Sequence, residues 1–269
     1  MKPVIKYQGG KSKELPIIKD MLPKGFNRVV EPFCGGAAVS FGLQTPAILN
    51  DINPMVINLY KVLQSDDYAH VLNHINVVKT YKHDALQEAF YAARDVINNP
   101  EKFTPLIQAI SYIIVRQLCF SGMERYNAQG EFNVPFGHYK RLSCNLKPDH
   151  HTFLSKCDIR HGSFVDLFDD LTADDFVFID PPYMERLGYT QGDGGDILHE
   201  ELARCLKSTN SKWMIIHSDH DFYRESYKDF NIIDKDFAYS QRFGKDKDHS
   251  SAKVKHLYIT NYQPLDGNV

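Results

Sequence analysis

Arg28-Val29-Val30-Glu31-Pro32-Phe33-Cys34-Gly35-Gly36-Ala37-Ala38 is the stretch that decides the fold. A short strand-like run, Arg28 to Glu31, meets a proline and then paired glycines, and Ala37 to Leu43 beyond them suits a helix. Glycines at such a junction let the backbone turn sharply and let a ligand approach main-chain atoms at the start of a helix. Working outward, Ala47 to Leu49 is a second short apolar run ending at Asn50-Asp51, and Met55 to Leu63 is helix-like again. This strand–loop–helix–strand rhythm predicts a parallel α/β sheet. Asp51 follows the second strand, where doubly wound folds present a carboxylate to ribose hydroxyls about 20 residues past the glycine loop. Neither GxGxxG nor a glycine-lysine-serine ending occurs in this loop, so the pairing suits a nucleoside more than a phosphate. The alternative is a plain turn, with Asp51 as N-cap of a helix beginning at Pro54.

Further along, apolar residues at helical spacing dominate from about Asp67 to Leu118. From Phe120 to Pro148 the chain reads as loop, punctuated by Gly122, Asn127, Gly130, Pro135 and Gly137. Strand signals return at Phe176 to Ile179, Trp213 to Ile216, Phe230 to Ile233 and Leu257 to Thr260. The expectation is a Rossmann-like α/β domain from residues 1–60 and 155–269, interrupted by a mostly helical insertion at 61–154. The strand Phe176 to Ile179 runs into Asp180-Pro181-Pro182-Tyr183, at the strand end where open α/β sheets bind ligands. Two prolines fix φ and remove two N–H donors, which leaves a stiff stretch with outward carbonyls. An acid, a rigid carbonyl and an aromatic ring suit a planar amine, the first two accepting its hydrogens and Tyr183 stacking on its ring.

The formal net charge of −3 does not by itself advertise nucleic-acid binding, but a basic cleft can sit on an acidic protein. The five cysteines form no CxxC pair, and together with the absence of a leader segment this reads as a reducing, cytoplasmic setting. No apolar run approaches the roughly 20 residues that span a bilayer, so no membrane partner is expected. No metal is expected either: His217 and His220 read as a surface loop, and Asp149-His150-His151 are adjacent residues that seldom converge on one ion. Cys34 reads as a small packing residue, and Gly244 to His249 as an exposed, mobile loop.

Several motifs together resemble the Dam-type, or D12, class of DNA adenine-N6 methyltransferases. Lys6-Tyr7-Gln8-Gly9-Gly10-Lys11 is similar to the family's KWxGGK, Glu31 to Gly36 to EPFxGG, and Asn50-Asp51-Ile52-Asn53 to its acid motif. Arg125-Tyr126-Asn127, then Gly130-Glu131-Phe132-Asn133-Val134-Pro135-Phe136-Gly137-His138-Tyr139-Lys140, resembles RxN…GxFNVPFGxY and is the most specific match. The resemblance implies S-adenosyl-L-methionine as cofactor and double-stranded DNA as partner. It implies that Tyr7, Gly10, Lys11, Phe33, Gly35, Asp51, Phe164 and Asp180 line the cofactor, with Asp51 on the ribose. Asp180, Pro181, Pro182 and Tyr183 would form the catalytic tetrapeptide that holds a flipped adenine. Lys6, Arg125, Asn127, Pro135 and Tyr139 would face DNA, Arg125 reading a guanine in a short site for which GATC is the leading candidate.

The chain departs from the family's pattern at Gly162-Ser163-Phe164, where many members carry an acid, at Ser218-Asp219 in place of Ser-Asn, and at Glu124, a negative charge beside Arg125. Rival readings are a cytosine-N4 methyltransferase, a guanine-N2 methyltransferase of ribosomal RNA, and a catalytically silent DNA-binding protein of the same fold. Asp rather than Ser ahead of Pro-Pro-Tyr favours adenine over cytosine.

Overall fold

The computed structural model describes residues 1–183, 195–238 and 253–264; the Gly244 to His249 run lies outside them. Its centre is a sheet of β1 (Arg28–Glu31), β2 (Ala47–Asp51), β3 (Asp158–His161), β4 (Asp175–Ile179), β5 (Lys212–Ser218), β6 (Asn231–Ala238) and β7 (Lys253–Thr260). The spatial order is β3-β2-β1-β4-β5-β7-β6. Neighbours from β3 through β5 pair in parallel, whereas β7 is antiparallel to both β5 and β6. From β1 the chain moves outward to β2 and β3, then returns to lay β4 on the other side of β1. That reversal opens a crevice between the carboxyl ends of β1 and β4, the usual ligand position in such sheets.

The helices are α1 (Leu15–Asp20), α2 (Ala38–Leu43), α3 (Pro54–Gln64), α4 (Tyr68–Val78), α5 (His83–Asn98), α6 (Pro105–Leu118), α7 (Pro148–Leu154), α8 (Gly195–Ser208) and α9 (Asp221–Ser226). Successive strand residues point to opposite faces, so each sheet face gathers its own core. Val29, Leu49, Phe176, Phe178, Met214 and Ile216 pack with residues of α1 through α7. Val30, Ile48, Val177, Ile179 and Ile215 pack with α8 and α9. Burial on both faces explains why the strands read as continuous apolar runs rather than alternating ones.

All six expected strand runs overlap strands, namely β1, β2, β4, β5, β6 and β7, but β3 was not foreseen. Its sequence, Asp158-Ile159-Arg160-His161, carries one aliphatic residue because it is a sheet edge, and Arg160 pairs with Asp158 at 2.8 Å and Asp170 at 2.6 Å. Among the described residues, 61–154 contribute no strand to the sheet. Within that segment α6 is buried on every side from Ala109 to Leu118, which makes it an internal helix. Thr104 caps it through the Ile107 amide. Residue Asn53, not Asp51, is the N-cap of α3, its side chain accepting the Met55 amide at 2.9 Å ahead of Pro54. No described helix is long and apolar enough to cross a membrane.

Candidate active site

The loops that leave β1, β2 and β3 are tied together at the carboxyl edge of the sheet. Asn50 donates to the Pro32 carbonyl at 3.0 Å and to the Gly162 carbonyl at 3.1 Å, joining all three loops. Gly35 donates its amide to Asp51 Oδ2 at 2.8 Å, while its carbonyl accepts the Tyr60 hydroxyl at 2.7 Å. Gly35 has φ +43°, and a Cβ there would lie 2.5 Å from the Tyr7 ring, so this turn admits only glycine. Asp51 Oδ1 accepts the Asn53 amide at 2.9 Å. Burial pushes the Asp51 carboxyl up to about 6 against these two amides, and the nearby Glu124 charge pushes in the same direction.

Asp180 stands at the end of β4, next to this clamp. Lys11 Nζ lies 2.6 Å from Asp180 Oδ1, 3.3 Å from the Tyr183 hydroxyl and 2.9 Å from the Gly9 carbonyl. Lys11 is 2% exposed, so the pair is desolvated, and its worth depends on the surrounding hydrogen bonds. Burial raises the Asp180 carboxyl above its ordinary range, and the Lys11 ammonium opposes the rise. Tyr183 is packed beside the His217 ring, centroids 4.7 Å apart, and the His256 ring, 5.9 Å apart.

The reading of His217 as a surface-loop residue is therefore corrected. It is fully buried on β5 and stacked on Tyr223 at 4.0 Å, and burial pushes its imidazole down to about 3. An apolar-rich strand places every residue from Trp213 to Ser218 in the interior, which the flanking aspartates concealed. His220 caps α9 by accepting the Phe222 amide. Cys34 is buried, as a packing residue should be. Among the described residues no group of three or more histidine, cysteine and carboxylate side chains could hold a metal ion.

For a nucleoside ligand the fit is good. Phe33 and Phe164 form an aromatic wall, with centroids 5.2 Å apart, beside the Asp51 clamp. Ser163, at the departure from the family's acid, turns its hydroxyl to the Val165 amide at 3.2 Å, so the wall is held by a local turn. Tyr112 on α6 is buried with its hydroxyl unpartnered among the described residues, and Tyr7, Asp51, Arg116 and Glu124 are its electrostatic neighbours. A buried hydroxyl in that position is a donor available to a polar ligand atom.

Residues 119–137 form a hairpin-like excursion from the end of α6, closed by Phe120 N–H to Pro135 O at 2.9 Å and Asn127 N–H to Glu131 O at 2.9 Å. Phe132, Val134 and Phe136 turn inward and are buried, while Pro135 is exposed. Arg125 is exposed and donates from Nε to Asn133 Oδ1 at 2.7 Å. Asn127 Oδ1 accepts the amides of Gln129 and Glu131, so this residue organises the hairpin turn. Lys6 lies 4.1 Å from the centre of the Tyr139 ring and donates to the Gln117 carbonyl at 2.7 Å. Glu124 does not set its charge against Arg125. It pairs with the buried Arg116 at 3.3 Å and accepts from Asn53 at 3.3 Å and Tyr126 at 2.9 Å. Arg116 in turn donates to the carbonyls of Lys6, Gly122 and Met123. Neither Glu124 nor Arg116 was foreseen as a link between the Asp51 loop and the hairpin, because no local pattern pairs residues so far apart.

A mostly parallel seven-stranded sheet with Asp-Pro-Pro-Tyr at its switch point is consistent with a Rossmann-like methyltransferase fold. The model of the D12 class N6 adenine-specific DNA methyltransferases matches residues 7–241, and the chain belongs to that family. It is similar to the type II methyltransferase M.CviBI of Paramecium bursaria Chlorella virus NC1A, with 30% identity over 97% of this chain and 100% of that protein. The DNA N-6-adenine-methyltransferase of Escherichia phage P1 is 32% identical over 84% of this chain and 31% of its own length. The retron Ec67 DNA adenine methylase of Escherichia coli is 29% identical over 86% of this chain and 82% of its own.

Proposed function

We propose that this protein uses S-adenosyl-L-methionine to methylate the N6 amine of an adenine flipped out of duplex DNA, within a short site for which GATC is the leading candidate. The observation that carries the proposal is the Lys11–Asp180–Tyr183 cluster, which sits at the switch point beside the Gly35–Asp51 clamp. When bound, the cofactor supplies an electrophilic methyl group on a sulfonium. Asp51 would accept from the ribose hydroxyls, Phe33 and Phe164 would line the adenine moiety, and Tyr7, Gly10 and Lys11 would complete the pocket.

The N6 lone pair of adenine is delocalised into its ring, so the amine is a poor nucleophile. Asp180 and the Pro181 carbonyl accept its two hydrogens, which makes the nitrogen more tetrahedral and aims its lone pair at the methyl. Lys11 occupies Asp180 Oδ1, which leaves Oδ2 for the amine and favours the ionised acid. Pro182 stiffens the turn, and Tyr183 stacks on the base. Positioning and electrostatics provide most of the rate, and a few kcal/mol of unstacking are offset by the pocket.

Residues 61–154 are assigned to target recognition, with Lys6, Arg125, Asn127, Pro135 and Tyr139 on the DNA side. One edge of the Arg125 guanidinium rests on Asn133, and the opposite edge is suited to the two acceptors of a guanine. Five free, buried cysteines support a reducing, cytoplasmic setting. The test compares methylation of GATC duplexes with single-base variants for wild type and Arg125→Ala. A bidentate arginine–guanine contact carries about 1–3 kcal/mol of discrimination, so the variant should relax preference at one base pair. Equal slowing on every duplex would reduce Arg125 to a phosphate contact, and indifference of the wild type to GATC would overturn the site.

A further inference from the structure

We propose that Glu14 and His256 are positioning residues for Tyr183, holding the ring against which the target base stacks; the proposal rests on the reading of Tyr183 just given. Tyr183 is tied from two sides, its hydroxyl lying 3.3 Å from Lys11 Nζ and 3.5 Å from His256 Nε2. The other imidazole nitrogen, His256 Nδ1, lies 2.8 Å from Glu14 Oε2, and the same oxygen accepts the Tyr258 hydroxyl at 2.6 Å. All three supports are interior: Glu14 is 2% exposed, His256 and Tyr258 are 0%. His256 and Tyr258 are two apart on β7 and so project from the same face of the sheet, while Glu14 immediately precedes α1.

The chemistry fixes the direction of each hydrogen bond. Burial pushes the Glu14 carboxyl up, but the His256 hydrogen bond, the Lys11 charge and the Tyr258 hydroxyl outweigh it, leaving the group below its ordinary range. An ionised carboxylate only accepts, so His256 must carry its proton on Nδ1. With the second nitrogen unprotonated, Nε2 is the acceptor, and it lies toward the Tyr183 hydroxyl. Lys11 can only donate, and it meets the remaining lone pairs of the same hydroxyl. The phenol thus has one donor and one acceptor fixed around it, and the tyrosine ring is held at its far end as well as by Pro182. Glu14 and His256 are 242 residues apart, and His256 and Tyr258 lie beyond residue 241, where the family match ends.

The test is a double-mutant cycle read in single-turnover methylation, with His256→Asn and Tyr183→Phe. Asparagine keeps a donor for Glu14 but has nothing at the Nε2 position, so the fold is retained while the hold on Tyr183 is lost. Misplacement of a reacting partner costs about ten- to a hundredfold, so His256→Asn should slow transfer by that factor. Binding of cofactor and DNA should change little, and His256→Gln, which restores a polar atom near Nε2, should recover part of the rate. In the Tyr183→Phe background the hydroxyl is gone, so adding His256→Asn should slow transfer no further. Equal slowing in both backgrounds, or lower thermal stability with an unchanged rate, would overturn the proposal. Nitrogen-15 NMR of the histidines reads the contact without turnover: Tyr183→Phe should shift the His256 Nε2 resonance and leave Nδ1 protonated. An unmoved resonance also overturns it. A shifted resonance in a protein that makes no N6-methyladenine supports the contact and contradicts only the reading of the activity.

Discussion

Glu31 sits at the carboxyl end of β1 with 3% of its surface exposed, and its carboxylate accepts the Ser40 amide at 2.7 Å. Burial pushes its pKa to about 7, further than the Ser40 hydrogen bonds can pull it back. An acid whose folded pKa is raised favours the protonated fold, so its contribution is full below the unfolded value near 4.5 and is lost as pH rises through about 7. The loss is on the order of 3 kcal/mol across that window. Urea unfolding of Glu31→Gln should therefore show a flatter pH dependence than wild type between about pH 5 and 7; an identical slope would contradict the assignment. Asp51 yields a second prediction, on binding. The ribose role proposed for it needs the ionised acid, so calorimetric affinity for S-adenosylmethionine should fall as pH drops through about 6. Asp51→Asn should bind weakly and lose that pH dependence, and an undiminished affinity would remove Asp51 from the cofactor site.

At the scale of elements, the excursion 119–137 combines fold and function in one stretch. Its most specific run, Phe132-Asn133-Val134-Pro135-Phe136, alternates inward apolar residues with outward ones. The inward half anchors the hairpin to α5 through Phe90 and Asn98, and the outward half is the surface that the proposed function assigns to DNA. The sequence made the outward half legible through its resemblance to a family, but the Arg116–Glu124 pair beneath it was hidden, since Glu124 reads locally as a charge beside Arg125. Glu124→Ala would leave Arg116 buried with no carboxylate partner among the described residues, and unfolding should become easier by about 2–3 kcal/mol. Because Glu124 also holds Asn53, cofactor affinity and DNA affinity should weaken together. Titration of each ligand checks this, and loss of DNA binding alone would contradict the proposed link. Strand β3 was illegible for a different reason: it buries only Ile159, and four residues with one aliphatic side chain carry no periodic signal.

For the whole molecule, the alternating first third and the Asp-Pro-Pro-Tyr strand end were enough to foresee a doubly wound sheet and the place of its crevice. The contacts that furnish the crevice were not legible, because they join residues far apart in the chain: Lys11 to Asp180 and Glu14 to His256. Patterns in sequence report local periodicity, whereas such pairs are decided only when strands are in register. A net charge of −3 also gives no hint of a nucleic-acid partner, and the proposed function assigns that contact to local basic residues such as Lys6 and Arg125. In the proposed function this crevice transfers methyl groups to adenine N6 through Asp180. The direct measurement is mass spectrometry of nucleosides from unmethylated duplex DNA treated with purified protein and isotopically labelled S-adenosylmethionine, for wild type and Asp180→Ala. The account predicts labelled N6-methyldeoxyadenosine with wild type, and with the folded variant a yield lower by about a hundredfold or more. Labelled N4-methyldeoxycytidine instead, or near-normal N6 methylation by Asp180→Ala, would contradict it.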